Sequence, residues 1–301
     1  MYASVSCLCL LVALGAVQAP SPAEALRIRV EQLHDAPATA IRGVKLLRPD
    51  AVVHFFEGRN FQYAWEGNRG RAIVEAIRDI EHDGLKPRDY HLAALEAAVS
   101  SVPATAAERA DVEILLTDAV AALVDHVRFG KVPPVTLDPR WNVDPRAGTP
   151  PLETFIAQVA EASSVGEAID ALKPSHFVYQ GLKQQLAARR QDVARGGWQT
   201  VPAGRPLQPG TTDARVLAVR KRLAASGELT NADGGPEYDE ALAGAVRRFQ
   251  EQHRLTPDGI VGRGTLAAMN VTAAARVEQV RVNLERARWV ISGLTAGSVK
   301  G

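Results

Sequence analysis

The chain has 301 residues, of which 46% are apolar and 23% are charged, and its formal net charge is +1. This apolar content and near-neutral charge are typical of folded domains and exclude a disordered polyelectrolyte. The 35 Lys and Arg residues almost balance the 34 Asp and Glu residues, which argues against nucleic acid as a partner. Aromatic residues make up only 5% of the chain and alanine is abundant, so a mainly α fold class is expected.

The first 25 residues have the pattern of a secretory signal peptide. An apolar run covers residues 5–17, which suits a signal-peptide core and is too short to span a bilayer comfortably. Ala23-Glu24-Ala25 follows as an A-x-A site, so cleavage is expected before Leu26. We therefore predict a secreted protein with no membrane span after cleavage. An uncleaved anchor is the alternative, because no Lys or Arg precedes the apolar run.

Both cysteines, Cys7 and Cys9, lie inside this leading segment. A mature protein without cysteine holds no disulfide, no Cys-based metal site and no cysteine nucleophile. The seven histidines lack the spacing of metal ligands, since the sequence contains neither an HxH nor an HxxxH pair. The sequence therefore predicts neither a metal nor a cofactor.

Hydrophobic periodicity divides the rest of the chain. Residues 26–50 show no firm period and are interpreted as a linker. Residues 51–203 are predicted to form a helical domain, in which apolar residues recur at helical spacing most clearly between Asp111 and Arg128. A Pro- and Gly-rich boundary at 204–210 ends this domain.

A second and much smaller domain is predicted at residues 211–271, where three short helices follow one another. A unit of this size needs tight turns and a compact core to be stable. A last helix is predicted at Ala275–Trp289, and residues 292–301 show no core-forming pattern.

The most specific motif is residues 245–266, which read AVRRFQEQHRLTPDGIVGRGTL. An amphipathic helix is followed by Asp258 and Gly259, which suit a tight turn. Gly262 frees the backbone at the entry to the next helix, where Thr265 can cap the helix. This stretch closely resembles the peptidoglycan-binding family of three-helix modules. The four residues of the turn are interpreted as structural.

The resemblance implies peptidoglycan as a partner. Arg247, Gln250 and Arg263 are predicted to contact it, because they are polar and border the turn. The alternative is that all three are ordinary exposed side chains. The basic clusters Arg189-Arg190, Arg220-Lys221-Arg222 and Arg247-Arg248 are interpreted as solvated helix faces, since apolar residues interrupt them at helical spacing. The alternative is that some of them meet the acidic peptides of peptidoglycan.

Short motifs of a second kind are spread over the larger domain. They are residues 55–65, 83–91, 116–119, 130–134 and 196–198, together with Lys173, Pro174, Tyr179 and Leu182. In type and order they resemble the scaffold domain of large periplasmic L,D-transpeptidases, and this resemblance extends over about residues 51–290. It implies a periplasmic protein of the cell envelope. In that family, residues 282–289 would mark the lead-in to the catalytic domain.

The catalytic domain of that family carries an S-H-G-C-x-R motif, whose cysteine thiolate attacks the acyl donor. Only twelve residues follow Trp289 in this sequence, and none of them is Cys or His. No catalytic residue is therefore predicted, and residues 272–301 are interpreted as a lead-in to a missing catalytic domain with an altered tail. The predicted function is the non-catalytic, peptidoglycan-binding and scaffold portion of an L,D-transpeptidase-like protein.

Three alternatives stay open. An active L,D-transpeptidase would result if the catalytic domain is encoded downstream or supplied as a partner by another chain. The protein could instead be an interaction module for another envelope protein. A peptidoglycan hydrolase would need a protonated carboxyl in an apolar pocket, for which Glu57 and Glu66 are the candidates because both lie near aromatic residues. Both could equally be surface groups.

Overall fold

The computed structural model describes residues 20–36, 40–142 and 144–297, with side chains up to Ile291. The expected signal-peptide core, both cysteines and the end of the tail lie outside the described residues. The described part contains twelve α-helices and a single two-stranded sheet, which confirms the predicted mainly α fold class. None of the described helices is both long and apolar enough to cross a membrane.

The larger, helical domain contains eight of the helices and the small sheet. Its elements are α1 (Pro22–Asp35), β1 (Ala40–Ile41), β2 (Val44–Lys45), α2 (Pro49–Gly58), α3 (Arg69–Asp79), α4 (Leu92–Val99), α5 (Ala106–Phe129), α6 (Leu152–Glu161), α7 (Val165–Ala171) and α8 (Phe177–Ala194). Short 3-10 helices occur at Ile80–Asp83, Pro87–Tyr90 and Pro134–Thr136. The remaining helices are α9 (Arg215–Ser226), α10 (Glu240–Gln252), α11 (Arg263–Met269) and α12 (Ala273–Gly297).

The interpretation of residues 26–50 as a linker is wrong. Leu26, Val30 and Leu33 form an apolar stripe on α1, and this stripe is buried against α2 and α5. The Ser21 hydroxyl caps the helix by accepting a hydrogen bond from the Glu24 backbone N–H. The predicted cleavage before Leu26 would remove this capped first turn. The sequence did not predict this helix because the first turn of α1 lies in the segment interpreted as a signal peptide.

Helix α5 lies at the centre of the larger domain and contacts α1, α2, α4 and α6. Most of its residues are buried, as expected for a helix that neighbours surround on every side. Its buried polar groups are held by other elements. Asp118, for example, accepts hydrogen bonds from the backbone N–H groups of Leu47 and Arg48. Asp125 accepts from the guanidinium groups of Arg48 and Arg146.

The small domain, called the module below, is built from α9, α10 and α11 around a core that includes Leu223, Leu242 and Phe249. Its boundary with the preceding segment is not a free linker. Leu207 and Val261 exchange backbone hydrogen bonds of 3.3 and 2.9 Å, so residue 207 belongs to the module's structure.

Helix α12 returns from the module to the larger domain. It packs mainly on α8, where Val280, Leu284 and Ile291 are buried with Tyr179. The helix continues to Gly297, beyond its predicted end at Trp289, and Ile291 is buried. The apolar stripe of α12 is short, and it became a core element only because α8 supplies the opposite face.

Buried charges join α12 to the larger domain. The guanidinium of Arg288 donates hydrogen bonds to the backbone carbonyl of Asp83 and to the Tyr179 hydroxyl, the latter at 2.8 Å. The Asp83 carboxylate lies 2.8 Å from the Lys173 ammonium and 3.0 Å from that of Lys183. These cations outweigh the cost of burial and hold the pKa of Asp83 below its usual range. The cluster ties α8 and α12 to the 3-10 helix Ile80–Asp83.

Candidate functional site

The turn between α10 and α11 is organised around one buried amide. Gln250 is 1% exposed, and the two N–H groups of its Nε2 are shared by three acceptors, Asp258 Oδ1 at 2.8 Å, the Ile260 carbonyl at 3.0 Å and Thr265 Oγ1 at 3.0 Å. Its Oε1 accepts the Gly259 N–H at 2.9 Å. The amide is therefore fully used within the protein. The prediction that Gln250 is an exposed contact is wrong, because its side chain satisfies the polar groups of the turn.

The four turn residues have distinct roles around this amide. Gly259 adopts a φ of 74°, where side chains other than glycine are strained. Asp258 accepts the Ile260 N–H, and this bond together with the Gln250 amide holds the pKa of Asp258 below its usual range. Gly262 precedes α11 in extended conformation. Thr265 is buried with its hydroxyl facing Gln250, so its predicted role as a helix cap is wrong.

Arg247 and Arg263 do border the turn, as their positions in the sequence required. The Arg247 side chain lies against Gly259 and forms a 3.6 Å ion pair with Glu240. Arg263 is the first residue of α11 and is exposed. Both guanidinium groups reach solvent, and their contact with a ligand stays a prediction.

The basic cluster at the start of the module is not a solvated helix face. Arg220 and Arg222 are 4% and 2% exposed. Arg220 pairs with Asp239 at 2.6 Å. Arg222 donates to the Met269 carbonyl at 2.8 Å and lies 3.9 Å above the Trp198 ring. Burial lowers the pKa of Arg222 to about 10, so the group is still charged at neutral pH. The interpretation failed because the partners of both arginines come from other elements.

A polar cavity of about 580 Å³ opens where the module meets α8 and α12, and it is called the junction cavity below. Four guanidinium groups line it, against one carboxylate, that of Glu228. These arginines are Arg189, Arg222, Arg254 and Arg276. The excess positive charge favours an anionic ligand, and the partly enclosed surroundings strengthen the attraction.

The groups of the junction cavity differ in how free they are to meet a ligand. Arg276 is engaged, since it donates to the Ala268 carbonyl at 2.9 Å and to Gln279 at 3.0 Å. The side chain of Arg254 is exposed and bonds to no residue of the described part of the chain. The exposed amide of Asn283 on α12 faces the same cavity. Arg254 and Asn283 are therefore the groups best placed to meet a ligand.

His253 lies between these groups and the module core. Its ring stacks on Phe249 with centroids 4.0 Å apart. Burial lowers the pKa of His253, so the ring is neutral at pH 7. The histidine therefore adds no charge to the junction cavity.

Sequence reasoning missed the junction cavity because its residues come from separate parts of the chain. They lie on α8, in the segment around Trp198, on α9, at the end of α10 and on α12. No local motif joins these positions. The local signals near the cavity were the Gly196-Gly197-Trp198 motif and the basic cluster that contains Arg222.

Neither carboxylate proposed for a hydrolase is buried among apolar side chains. Glu57 is exposed, and the Glu66 side chain is 68% exposed and paired with Arg109 at 2.7 Å. Glu113, which the sequence did not single out, is 4% exposed. Burial raises the pKa of Glu113 to about 7. Within the described residues, no three acidic, histidine or cysteine side chains are grouped as metal ligands.

Two segments of the chain match known families. Residues 50–186 match the model of a family described as a scaffold domain, and residues 212–269 match that of a putative peptidoglycan binding domain. No curated protein matches the chain. The two matches support a cell-wall-associated protein, and the second supports peptidoglycan as its partner.

Proposed function

We propose that this protein binds peptidoglycan non-covalently in the junction cavity, as the scaffold and wall-binding portion of an L,D-transpeptidase-like protein in the periplasm. The observation that carries the proposal is the position of the cavity. A cationic and partly enclosed surface adjoins the module whose family is described as peptidoglycan binding.

The chemistry of peptidoglycan suits this surface. Its peptides carry carboxylates, and its sugars and peptides both carry amides. Arg254 supplies an unpaired guanidinium that can bind a carboxylate through two parallel hydrogen bonds. Asn283 supplies a donor and an acceptor for an amide. Sugars often stack on tryptophan rings, but Arg222 covers one face of Trp198. Binding in this cavity is therefore expected to depend on polar contacts.

The test compares retention on purified sacculi between Arg254→Ala and Lys221→Ala. Each variant removes one exposed cation from the module, but Lys221 on α9 does not line the junction cavity. We expect Arg254→Ala to weaken binding about tenfold, because hydrogen bonds to charged groups contribute about 1.5–3 kcal/mol. Lys221→Ala should bind as the unchanged protein does.

The salt dependence gives a second readout. Retention should fall as the salt concentration rises, since screening weakens partly exposed charge pairs. Equal retention of both variants would reject the junction cavity as the site. No retention of the unchanged protein at low salt would reject wall binding and favour an interaction module for another envelope protein.

The link to L,D-transpeptidases rests on the sequence resemblance of the larger domain and on the scaffold-domain match of residues 50–186. It is tested by reading the coding sequence downstream of Gly301 in all frames. A segment encoding the Ser-His-Gly-Cys-x-Arg motif would support a catalytic domain that acts with this chain. Acyl transfer by the purified chain alone would contradict the non-catalytic part of the proposal.

A further inference from the structure

A second cavity, of about 570 Å³, lies within the larger domain and is called the scaffold cavity below. It is bounded by the loop before α3 and by α3, α4 and α5. Val99, Val112 and Leu116 give it an apolar floor. Its volume is that of a small-molecule site, and no residue lines both this cavity and the junction cavity.

A buried carboxyl group lines the scaffold cavity. Oε1 of Glu113 accepts the backbone N–H groups of Ala64 and Trp65, the latter at 3.1 Å. Oε2 forms no hydrogen bond with any residue that the structure describes, and no described cation lies within ion-pair distance of the carboxyl group. The ionised form of a carboxyl group that is 4% exposed is costly without a cation, so Glu113 either keeps its proton or meets a cation that a ligand supplies. The rise in the pKa of Glu113 to about 7 has the same cause.

A free cation lies on the rim of the same cavity. Arg71 on α3 is exposed, and its guanidinium bonds to no residue in the described ranges. Arg109, by contrast, is engaged on two sides. It pairs with Glu66 at 2.7 Å and lies 4.4 Å above the Tyr63 ring. Arg71 is therefore the group available for an anionic part of a ligand.

We infer that the scaffold cavity binds an amino-acid end group that carries both a free ammonium and a free carboxylate. The ammonium lies against Oε2 of Glu113, and the carboxylate lies against Arg71. The carbon chain of the ligand covers the apolar floor. This arrangement supplies the missing cation to the buried acid and the missing anion to the rim, which a neutral or singly charged ligand cannot do.

The pH dependence of binding follows from the charges that face Glu113. Arg109 lowers the pKa of Glu113, and Glu66 raises it. Arg71 on the rim adds a second positive charge, and burial raises the pKa of Tyr63, so this phenol is neutral. An ammonium requires the ionised form of Glu113, so affinity increases as the pH rises through about 7, and binding releases a proton. A ligand that accepts a hydrogen bond from protonated Glu113 would show the opposite trend.

Isothermal titration of the purified protein with norleucine tests the inference. Norleucine has both charged groups and an apolar chain, N-acetylnorleucine lacks the ammonium, and norleucine amide lacks the carboxylate. We expect norleucine to bind and each blocked analogue to bind at least about tenfold more weakly, as hydrogen bonds to charged groups predict. Titrations in buffers of different ionisation enthalpy should reveal the released proton.

Variants separate a binding role from a structural one. Glu113→Gln keeps an oxygen for the N–H groups of Ala64 and Trp65 but removes the charge, and Arg71→Ala alters only the rim. Both should weaken norleucine binding about tenfold, since each removes a charged hydrogen-bond partner. Lys45→Ala, which removes an exposed cation outside the cavity, should not.

Absence of norleucine binding, equal binding of the blocked analogues, or affinity that falls as the pH rises would each overturn the inference. Because Arg71 is exposed, its variant is expected to fold even where Glu113→Gln does not. Retention on sacculi is measured through Arg254, so the failure of one proposal leaves the other testable.

Discussion

The buried amide of Gln250 in the module and the buried carboxylate of Asp118 in the larger domain find their partners at very different distances along the chain. In the module, the Gln250 amide bonds to Asp258 and Thr265, which lie 8 and 15 residues later in the chain. In the larger domain, Asp118 accepts N–H groups from Leu47 and Arg48, which lie 71 and 70 residues before it. Polar groups that are satisfied locally leave a motif in the sequence, whereas polar groups that are satisfied at long range do not.

The difference follows from size. A small unit buries little surface, so a buried amide that holds one turn together accounts for a large share of its buried interactions. The larger domain surrounds α5 with several helices, and each buried charge on α5 can be met by whichever element packs there. The following changes test this contrast between local and long-range anchoring, from the largest expected effect to the smallest.

Replacing Asp118 with Ala should have the largest effect. The change leaves two backbone N–H groups near Leu47 and the His91 ring, 2.9 Å from the carboxylate, without their partner. We expect a loss of about 3–5 kcal/mol in the free energy of unfolding, measured by urea titration, because each buried donor left without a partner costs about 1–3 kcal/mol. The exposed Glu75→Ala change on α3 should stay within about 0.5 kcal/mol. A loss below about 1 kcal/mol at Asp118 would contradict long-range anchoring.

The pH dependence of stability should change with Glu113→Gln. Burial raises the pKa of Glu113 from 4.5 to about 7, so the folded state keeps a proton that the unfolded state has released. This contribution to stability is present below pH 4.5 and is lost as the pH rises to about 7. Between pH 4.5 and 7, the free energy of unfolding of the variant should therefore increase relative to that of the unchanged protein by roughly 3 kcal/mol, at about 1.4 kcal/mol per pKa unit.

His126 provides an internal check on the same titration. Burial lowers its pKa from 6.5 to about 3, so its contribution to stability is lost as the pH falls from 6.5 towards 3. Between pH 4.5 and 6.5, Glu113 makes the free energy of unfolding fall with rising pH and His126 makes it rise. In Glu113→Gln, only the rise that His126 causes should remain in this range. Urea midpoints that do not separate with pH would show that Glu113 is not buried as described.

In the module, Gln250→Ala should cost about 2 kcal/mol, since it leaves the buried Gly259 N–H and the Thr265 hydroxyl without a partner. Hydrogen exchange of the backbone amides in residues 255–266 measures the effect where it arises. The matched control is Gln252→Ala, two residues along the same helix and exposed. If both variants exchange alike, the turn is not held by the Gln250 amide.

The smallest effect is expected at a surface pair. Arg78 on α3 and Glu96 on α4 lie 2.6 Å apart, with side chains that are 55% and 38% exposed. Arg78→Ala should change the unfolding free energy by about 0.5 kcal/mol or less, and added salt should remove the difference. A loss above about 1 kcal/mol would show that a long-range ion pair can stabilise the fold without being buried.

The sequence predicted the module's turn from residue types alone, because Asp258, Gly259 and Gly262 act through the backbone of neighbouring residues. It did not predict that Gln250 is buried or that Thr265 faces it. Alternation of polar and apolar residues on α10 shows which side faces the core. It does not show that the Gln250 amide is buried because it bonds to carbonyl and N–H groups of the following turn.

The sequence by itself determined the mainly helical class and the tight turn of the module, because helical periodicity and glycine conformation depend on residues a few positions apart. Only the tertiary structure decided that α1 and the end of α12 belong to the core, that Arg222 lies over Trp198, and that Glu113 faces a cavity. The physical reason is distance along the chain. Whether a short apolar stripe or a single charged residue is buried depends on the element that packs against it. The order of residues along the chain does not identify that element.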